Sequence, residues 1–257
     1  MHILLTNDDG YHATGIQTLS RHLKQSGFQV TVVAPLSERS AASHSLTLRK
    51  SIRVQKVNET DYTVDGTPVD SVIIAVQRLL KQPIDLVISG INAGQNMGED
   101  IHYSGTVAAA KEAAFFGYKA IAVSINEYSN QNFETAARWM CLMLKQNLDS
   151  ILQKNQVLNI NVPNIEFNQV KGIRLTTTGH RKYYNFIQLV EEDDKGFSYI
   201  IGGDKPVWEE IKGTDSEAIS ENYVSITPLG FEMTKGDSFP VLLEWLEENE
   251  SSFRLNE

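Results

Sequence analysis

Short apolar runs recur along the first two thirds of the chain, at residues 3–6, 30–34, 84–88, 120–124 and 157–162. Each is stopped by Gly, Pro or a polar cluster. Continuous rather than alternating apolar character marks strands buried on both faces. Helical spacing fills the gaps. Ile16, Leu19 and Leu23 precede a stop at Gly27, and Val72, Ile73, Val76, Leu79 and Leu80 form a second stripe. An alanine-rich run covers 107–114, and a long helix is expected over 132–147. Strand–helix repetition of this kind requires parallel strands with right-handed crossovers. The fold class expected is α/β, with a doubly wound, mainly parallel sheet. A length of 257 residues, 41% of them hydrophobic, suits one large domain spanning 1–257.

The remainder departs from that rhythm. Residues 52–57 and 62–64 read as a hairpin at the sheet edge, and Thr67-Pro68 as the cap and first turn of the next helix. Residues 173–177 and 223–227 are strand-like, and 241–246 falls on an amphipathic terminal helix. Between them, 181–190 and 197–201 flank a charged turn, Glu191-Glu192-Asp193-Asp194-Lys195-Gly196. The resulting hairpin, about 180–204, does not fit a β-α layer and is expected to project. Tyr183, Tyr184, Phe186, Ile187, Leu189, Phe197, Tyr199, Ile200 and Ile201 give it an apolar surface too large for an isolated hairpin in water. Self-association through it is the expectation; a lid folded over the active-site edge is the alternative.

Chemistry concentrates where the strands end. The first strand runs into Asn7-Asp8-Asp9-Gly10. Two adjacent carboxylates at a buried strand end repel each other unless a cation offsets them. A plain Asp-Gly turn or a helix cap is the other reading. The second strand leads into a loop with Ser37, Arg39, Ser40, Ser43, His44, Ser45 and Thr47, which by composition alone is a solvated linker. The third ends in a segment, 89–98, expected to be a shaped loop carrying Asn92 and Asn96. Ser104-Gly105-Thr106 opens the alanine-rich helix, whose unpaired first amides form a ready anion site, or only an ordinary cap. Gly105 there would let an anion approach closely. All these ends lie on one edge of a parallel sheet, where such folds bind ligands. Oxygen-only donors favour magnesium, manganese or calcium over zinc.

Several classes lose support. There is no P-loop, no Gly-x-Gly-x-x-Gly after the first strand and no Gly-x-Ser-x-Gly elbow. Metal-activated water is the simplest route; an aspartyl-phosphate on Asp8 or Asp9 is also conceivable. A net charge of -9 argues against a stable nucleic-acid complex. The one cysteine, Cys141, excludes an internal disulfide and sits in an apolar run. No leader precedes the first strand and no run approaches the ~18 residues of a membrane span. A cytoplasmic chain without membrane attachment is expected.

The motifs 4–10, Ala34-Pro35 with Arg39-Ser40 and 43–47, 89–94, 103–107, Gly213-Thr214-Asp215 and 223–229 together resemble the survival protein SurE family of nucleotidases. The resemblance runs over nearly the whole chain. Thr14 and Ala113 replace residues usual in that family, and the hairpin matches only loosely. The resemblance implies a Rossmann-like core and a metal-dependent phosphatase acting on nucleoside 5'- and 3'-monophosphates. It implies one divalent cation per subunit, magnesium or manganese, on Asp8, Asp9, Ser40 and Asn92. Asn96, Ser104, Gly105 and Thr106 would lie on the phosphate side, and Asp8 and Asp9 would be catalytic. It also implies a homodimer or homotetramer. A nucleotide-sensing module without turnover, and a general phosphatase or exopolyphosphatase, are the competing functions.

Overall fold

A computed structural model describes the chain except residues 154, 183, 185, 186, 194, 203–206, 235 and 250–257. Its first half runs β1 (His2–Thr6), α1 (Thr14–Gln25), β2 (Gln29–Pro35), β3 (Val54–Lys56), β4 (Tyr62–Val64), α2 (Pro68–Ile74), β5 (Leu86–Ala93) and α3 (Gly105–Phe115). There follow β6 (Ala120–Ile125), α4 (Phe133–Lys145), the single turn α5 (Leu148–Ile151), β7 (Val157–Val162) and β8 (Ile173–Leu175). The last part holds β9 (Arg181–Lys182), β10 (Ile187–Asp193), β11 (Gly196–Ile201), β12 (Val207–Trp208), α6 (Asp215–Ser220), β13 (Val224–Leu229) and α7 (Phe239–Glu248).

Nine strands form one sheet in the order β3-β4-β2-β1-β5-β6-β7-β13-β8. The six from β4 to β7 are mutually parallel; β3 on β4 and β13 on β7 are antiparallel. The expected doubly wound α/β sheet is therefore present. The chain winds outward from β1 to β2, then crosses back to lay β5 on β1's other side, so the switch point lies between β1 and β5.

Strand alternation sends Ile3 and Leu5 to one face and Leu4 to the other. Ile3 and Leu5 pack with Ile16, Leu19 and Leu23 of α1 and Ala136, Met140 and Leu144 of α4. Leu4 packs with Val72 of α2 and Val107, Ala110 and Ala114 of α3. Small alanine side chains let α3 lie close to the sheet, which brings its first turn near the end of β1. Cys141 is buried in the first of these cores, as its surroundings imply. No helix among the described residues is long and apolar enough to cross a membrane.

Several expectations need correcting. Residues 89–93 are strand, not loop: β5 runs to Ala93 and, after an irregularity between Ser89 and Asn92, pairs again with β6 through Asn92–Ser124 and Ala93–Ile125. The partner strand continues, so the backbone groups find hydrogen bonds there. The first hairpin arm is not continuous. Residues 181–182 pair with Val207–Trp208, and a separate hairpin pairs Ile187–Asp193 with Gly196–Ile201. All seven residues of β10 are exposed. Tyr183, Phe186, Asp194 and Asp204, named in the sequence reading of this hairpin, lie outside the described residues. Helix α6 was not anticipated, although Thr214 three residues before Glu217 is a capping signature and its hydroxyl does accept from Glu217 N.

Candidate active site

The carboxyl ends of β1 and β5 meet the first turn of α3 at the switch point, where doubly wound sheets bind ligands. Asp8 lies two residues past the end of β1 and is only 6% exposed. Its Oδ1 accepts a hydrogen bond from the Thr106 hydroxyl, and the Thr106 amide also donates to the carboxylate. The helix start expected to hold a substrate anion thus already holds Asp8. Gly105 explains how. A Cβ there would lie 2.9 Å from both Cβ and Oδ2 of Asp8, so only glycine admits the carboxylate this close. Ser104 is the N-cap, its buried hydroxyl accepting from Val107 N at 3.1 Å.

Asp9 is half-buried and accepts from Ala93 N at 3.1 Å, joining the ends of β1 and β5. Burial, then the neighbouring Asp8 charge, pushes its carboxyl from 3.8 up to about 7. Burial raises Asp8 as well, against the Thr106 bonds. Glu38 adds a third negative charge that raises both, and sequence reasoning missed it. The available signal was an acidic residue two positions before Ser40.

The structure brings Asn92 to this corner. Its Nδ2 donates to Gly94 O at 2.8 Å, which turns Oδ1 away as the acceptor end. Ser40 is exposed, and its hydroxyl donates to Glu38 Oε1. Its loop is fastened nearby, since Arg39 N donates to Asp8 O at 2.7 Å. Asn96 is buried and held on every side. Its amide N bonds Asn161 Oδ1 (2.9 Å), its Nδ2 bonds Ser124 Oγ (2.9 Å), and its carbonyl accepts from Asn159 and Asn161. Asp215 accepts from Gly98 N and Gly179 N, while His180 and Arg181 pair with Glu99 and Asp100. The segment between β5 and α3 is thereby clamped by the C-terminal third. No sequence signal tied Asn159, Asn161 or Asp215 to that role.

The residues present fit a hard cation. Two adjacent carboxylates lie at the strand end, the nearby neutral donors are oxygen, and the buried Oδ1 of Asn7 has no hydrogen-bond partner. No group of three or more His, Cys, Asp or Glu among the described residues is placed to hold a metal, so any cation here depends on Asn and Ser oxygens beside the two aspartates. A separate open concavity lined by Trp208, Glu209, Lys212 and Glu217 shares none of these residues. The paired carboxylates, not the size of a hollow, single out this corner.

The model of the family described as survival protein SurE matches residues 3–185. A 5'-nucleotidase SurE of Mannheimia succiniciproducens is 44% identical over 248 residues, covering 96% of this chain and 99% of that protein. A 5'/3'-nucleotidase SurE of Klebsiella pneumoniae is 45% identical over 251 residues, covering 96% and 97%. The crystal structure of the SurE protein from Aquifex aeolicus superposes with a TM-score of 0.84 at 36% identity, covering 96% of this chain and all of that one. Matched by the family model over residues 3–185 and by relatives along nearly its full length, this chain belongs to the SurE family.

Proposed function

We propose that this phosphoric monoester hydrolase of the SurE family removes phosphate from nucleoside 5'- and 3'-monophosphates with the help of one divalent cation, magnesium or manganese. The observation that carries the reading is the Asp8–Asp9 pair at the switch point, against the first turn of α3. Asp8, Asp9, Asn92 Oδ1 and Ser40 Oγ would hold the cation; for Ser40 this requires its hydroxyl to leave Glu38. A cation bound there supplies charge neutralisation for the phosphoryl oxygens and a more acidic water.

The chain's own groups divide the remaining work. Asp8 is buried and tied to Thr106, which suits a fixed ligand. Asp9 is the more open carboxyl and is assigned to take the proton of the attacking water. The positive end of α3 faces the corner and favours the phosphate dianion, although Ser104 and Thr106 already spend their side chains on structure. Asn96 supports the substrate side by fixing the turn before α3.

Phosphate release from AMP, GMP and a simple phosphomonoester tests the reading. A chelator is expected to remove essentially all activity, and manganese or magnesium to restore it. Full turnover by metal-free protein would overturn the proposal.

The hairpin and terminal helix are proposed to bind a second copy of the chain, as a dimer or tetramer. Ile187, Leu189, Val190, Phe197, Tyr199, Ile200 and Ile201 are all more than half exposed, and α7 buries no residue despite Phe239, Leu243 and Trp245. Paired copies would cover this apolar surface, most simply about a two-fold axis. Replacing residues 187–201 by a short glycine linker is expected to reduce the assembly seen by light scattering. An unchanged mass, or a monomeric wild type, would instead favour a lid.

A further inference from the structure

We propose that Tyr128 is the platform on which the base of the nucleotide substrate stacks. The proposal rests on the nucleotidase reading and extends it to a residue outside the ligand set.

Tyr128 follows β6, whose carboxyl end lies on the same sheet edge as those of β1 and β5. Its ring lies directly on the backbone of Gly94. A Cβ on Gly94 would stand 2.7 Å from Cδ1 and 3.0 Å from Cζ of the ring, and closer still to Cε1. Gly94 has a φ of +107°, a conformation side chains rarely adopt, so the contact is built for a bare backbone. The carbonyl of this same glycine receives the Asn92 amide, which places the ring beside a residue of the candidate site.

The loop holding the ring is itself organised. Glu127 Oε1 accepts from the amides of Tyr128 (2.8 Å) and Ser129 (3.0 Å), and Asn126 N bonds Val162 O at 2.9 Å. Yet the side chain is 62% exposed. The Cδ1–Cε1–Cζ edge of the ring is seated against Gly94 while much of the residue meets solvent. A single exposed aromatic is ordinary. An aromatic pinned at the rim of a phosphate site is what a nucleobase needs, because stacking requires a π-face held in place and tolerates any base. The same tolerance predicts weak discrimination among AMP, GMP and the pyrimidine nucleotides. Tyr103 is similarly exposed, at 68%, and precedes the helix start on the same edge, so it serves as the comparison.

The experiment compares wild type, Tyr128→Ala, Tyr128→Phe and Tyr103→Ala. KM and kcat are measured with manganese for AMP and for ribose 5-phosphate, which lacks a base. AMP binding is followed separately by calorimetry in chelator, where turnover is blocked. Tyr128→Ala is expected to raise the AMP KM and Kd about 10-fold, the scale of one lost base stack, with ribose 5-phosphate kinetics unchanged. Tyr128→Phe should match wild type, since the ring remains. Unchanged AMP affinity in Tyr128→Ala overturns the proposal. So does equal damage to ribose 5-phosphate, which would make the ring a prop for the Gly94 turn, or a base effect found only in Tyr103→Ala. A wild type that hydrolyses neither substrate sinks the nucleotidase reading alone, because AMP binding still decides the role of the ring.

Discussion

Asp9→Asn is expected to lower phosphate release by about 100-fold or more while making the metal-free protein more stable at pH 8. The first effect follows from removing a general base and a cation ligand together. The second follows from linkage. The carboxyl of Asp9 is raised from 3.8 to about 7 in the fold by burial and by Asp8, so the folded state holds its proton more tightly than the unfolded chain does. Its favourable contribution is complete below the unfolded value and is lost as pH rises toward 7; above that the ionised group opposes folding. Asparagine carries no such charge and can still accept from Ala93 N. After a discount for partial exposure, the gain at pH 8 is about 2 kcal/mol, or roughly 5 °C in Tm, shrinking toward pH 4. Melts with chelator at both pH values check it. A variant that loses activity and melts lower at pH 8 would show that the carboxylate is structural. Asp8→Asn should lose activity comparably without this stabilisation, since its amide nitrogen would face a donor of Thr106.

Gly105→Ala is expected to reduce kcat/KM by about 100-fold or more, weaken cation binding and lower the melting temperature. One added carbon would stand 2.9 Å from two atoms of Asp8. Overpacking of this kind costs about 1–3 kcal/mol. The cost falls on the carboxylate, which must leave Thr106. From sequence alone the glycine was assigned to a substrate anion, and metal binding would have survived its loss. Here the neighbour is Asp8, so cation affinity, read by calorimetry, should fall together with turnover. Unchanged turnover in a folded Gly105→Ala protein would disconnect the helix start from the site.

The parts of the fold that could be read from sequence share a physical trait: their signal is local. The runs ending in Asp8 and Pro35 and the run before Pro163 fall within a residue or two of β1, β2 and β7, because a strand buried on both faces is apolar throughout. The alanine run marks α3 for the same reason. The reading failed where distant groups decide. Glycine and asparagine after Ile88 suggested a loop, yet β6 offers partners as far as Ala93. The arm from Arg181 breaks because its first residues pair with Trp208 and Val207 instead. At the site, Asp9 bonds the amide of Ala93, next to Asn92, because strand ends in a parallel sheet share one edge. Whether Ser40 faces them depends on its bond to Glu38, and the seating of Tyr128 depends on Gly94, a residue more than thirty positions away. Contacts of that kind leave no periodicity to read.

The clamp between β5 and α3 ties the C-terminal third to the helix start that holds Asp8. Arg181, at the foot of the projecting arm, is paired with Asp100 in a site where both side chains are largely buried, and its backbone amide is held by Glu99 at 2.9 Å. Two residues past the short turn that contains those acids, Ser104 begins α3. The Arg181 clamp and the Thr106 hydroxyl that holds Asp8 thus share one short stretch of backbone, from Asp100 to Thr106.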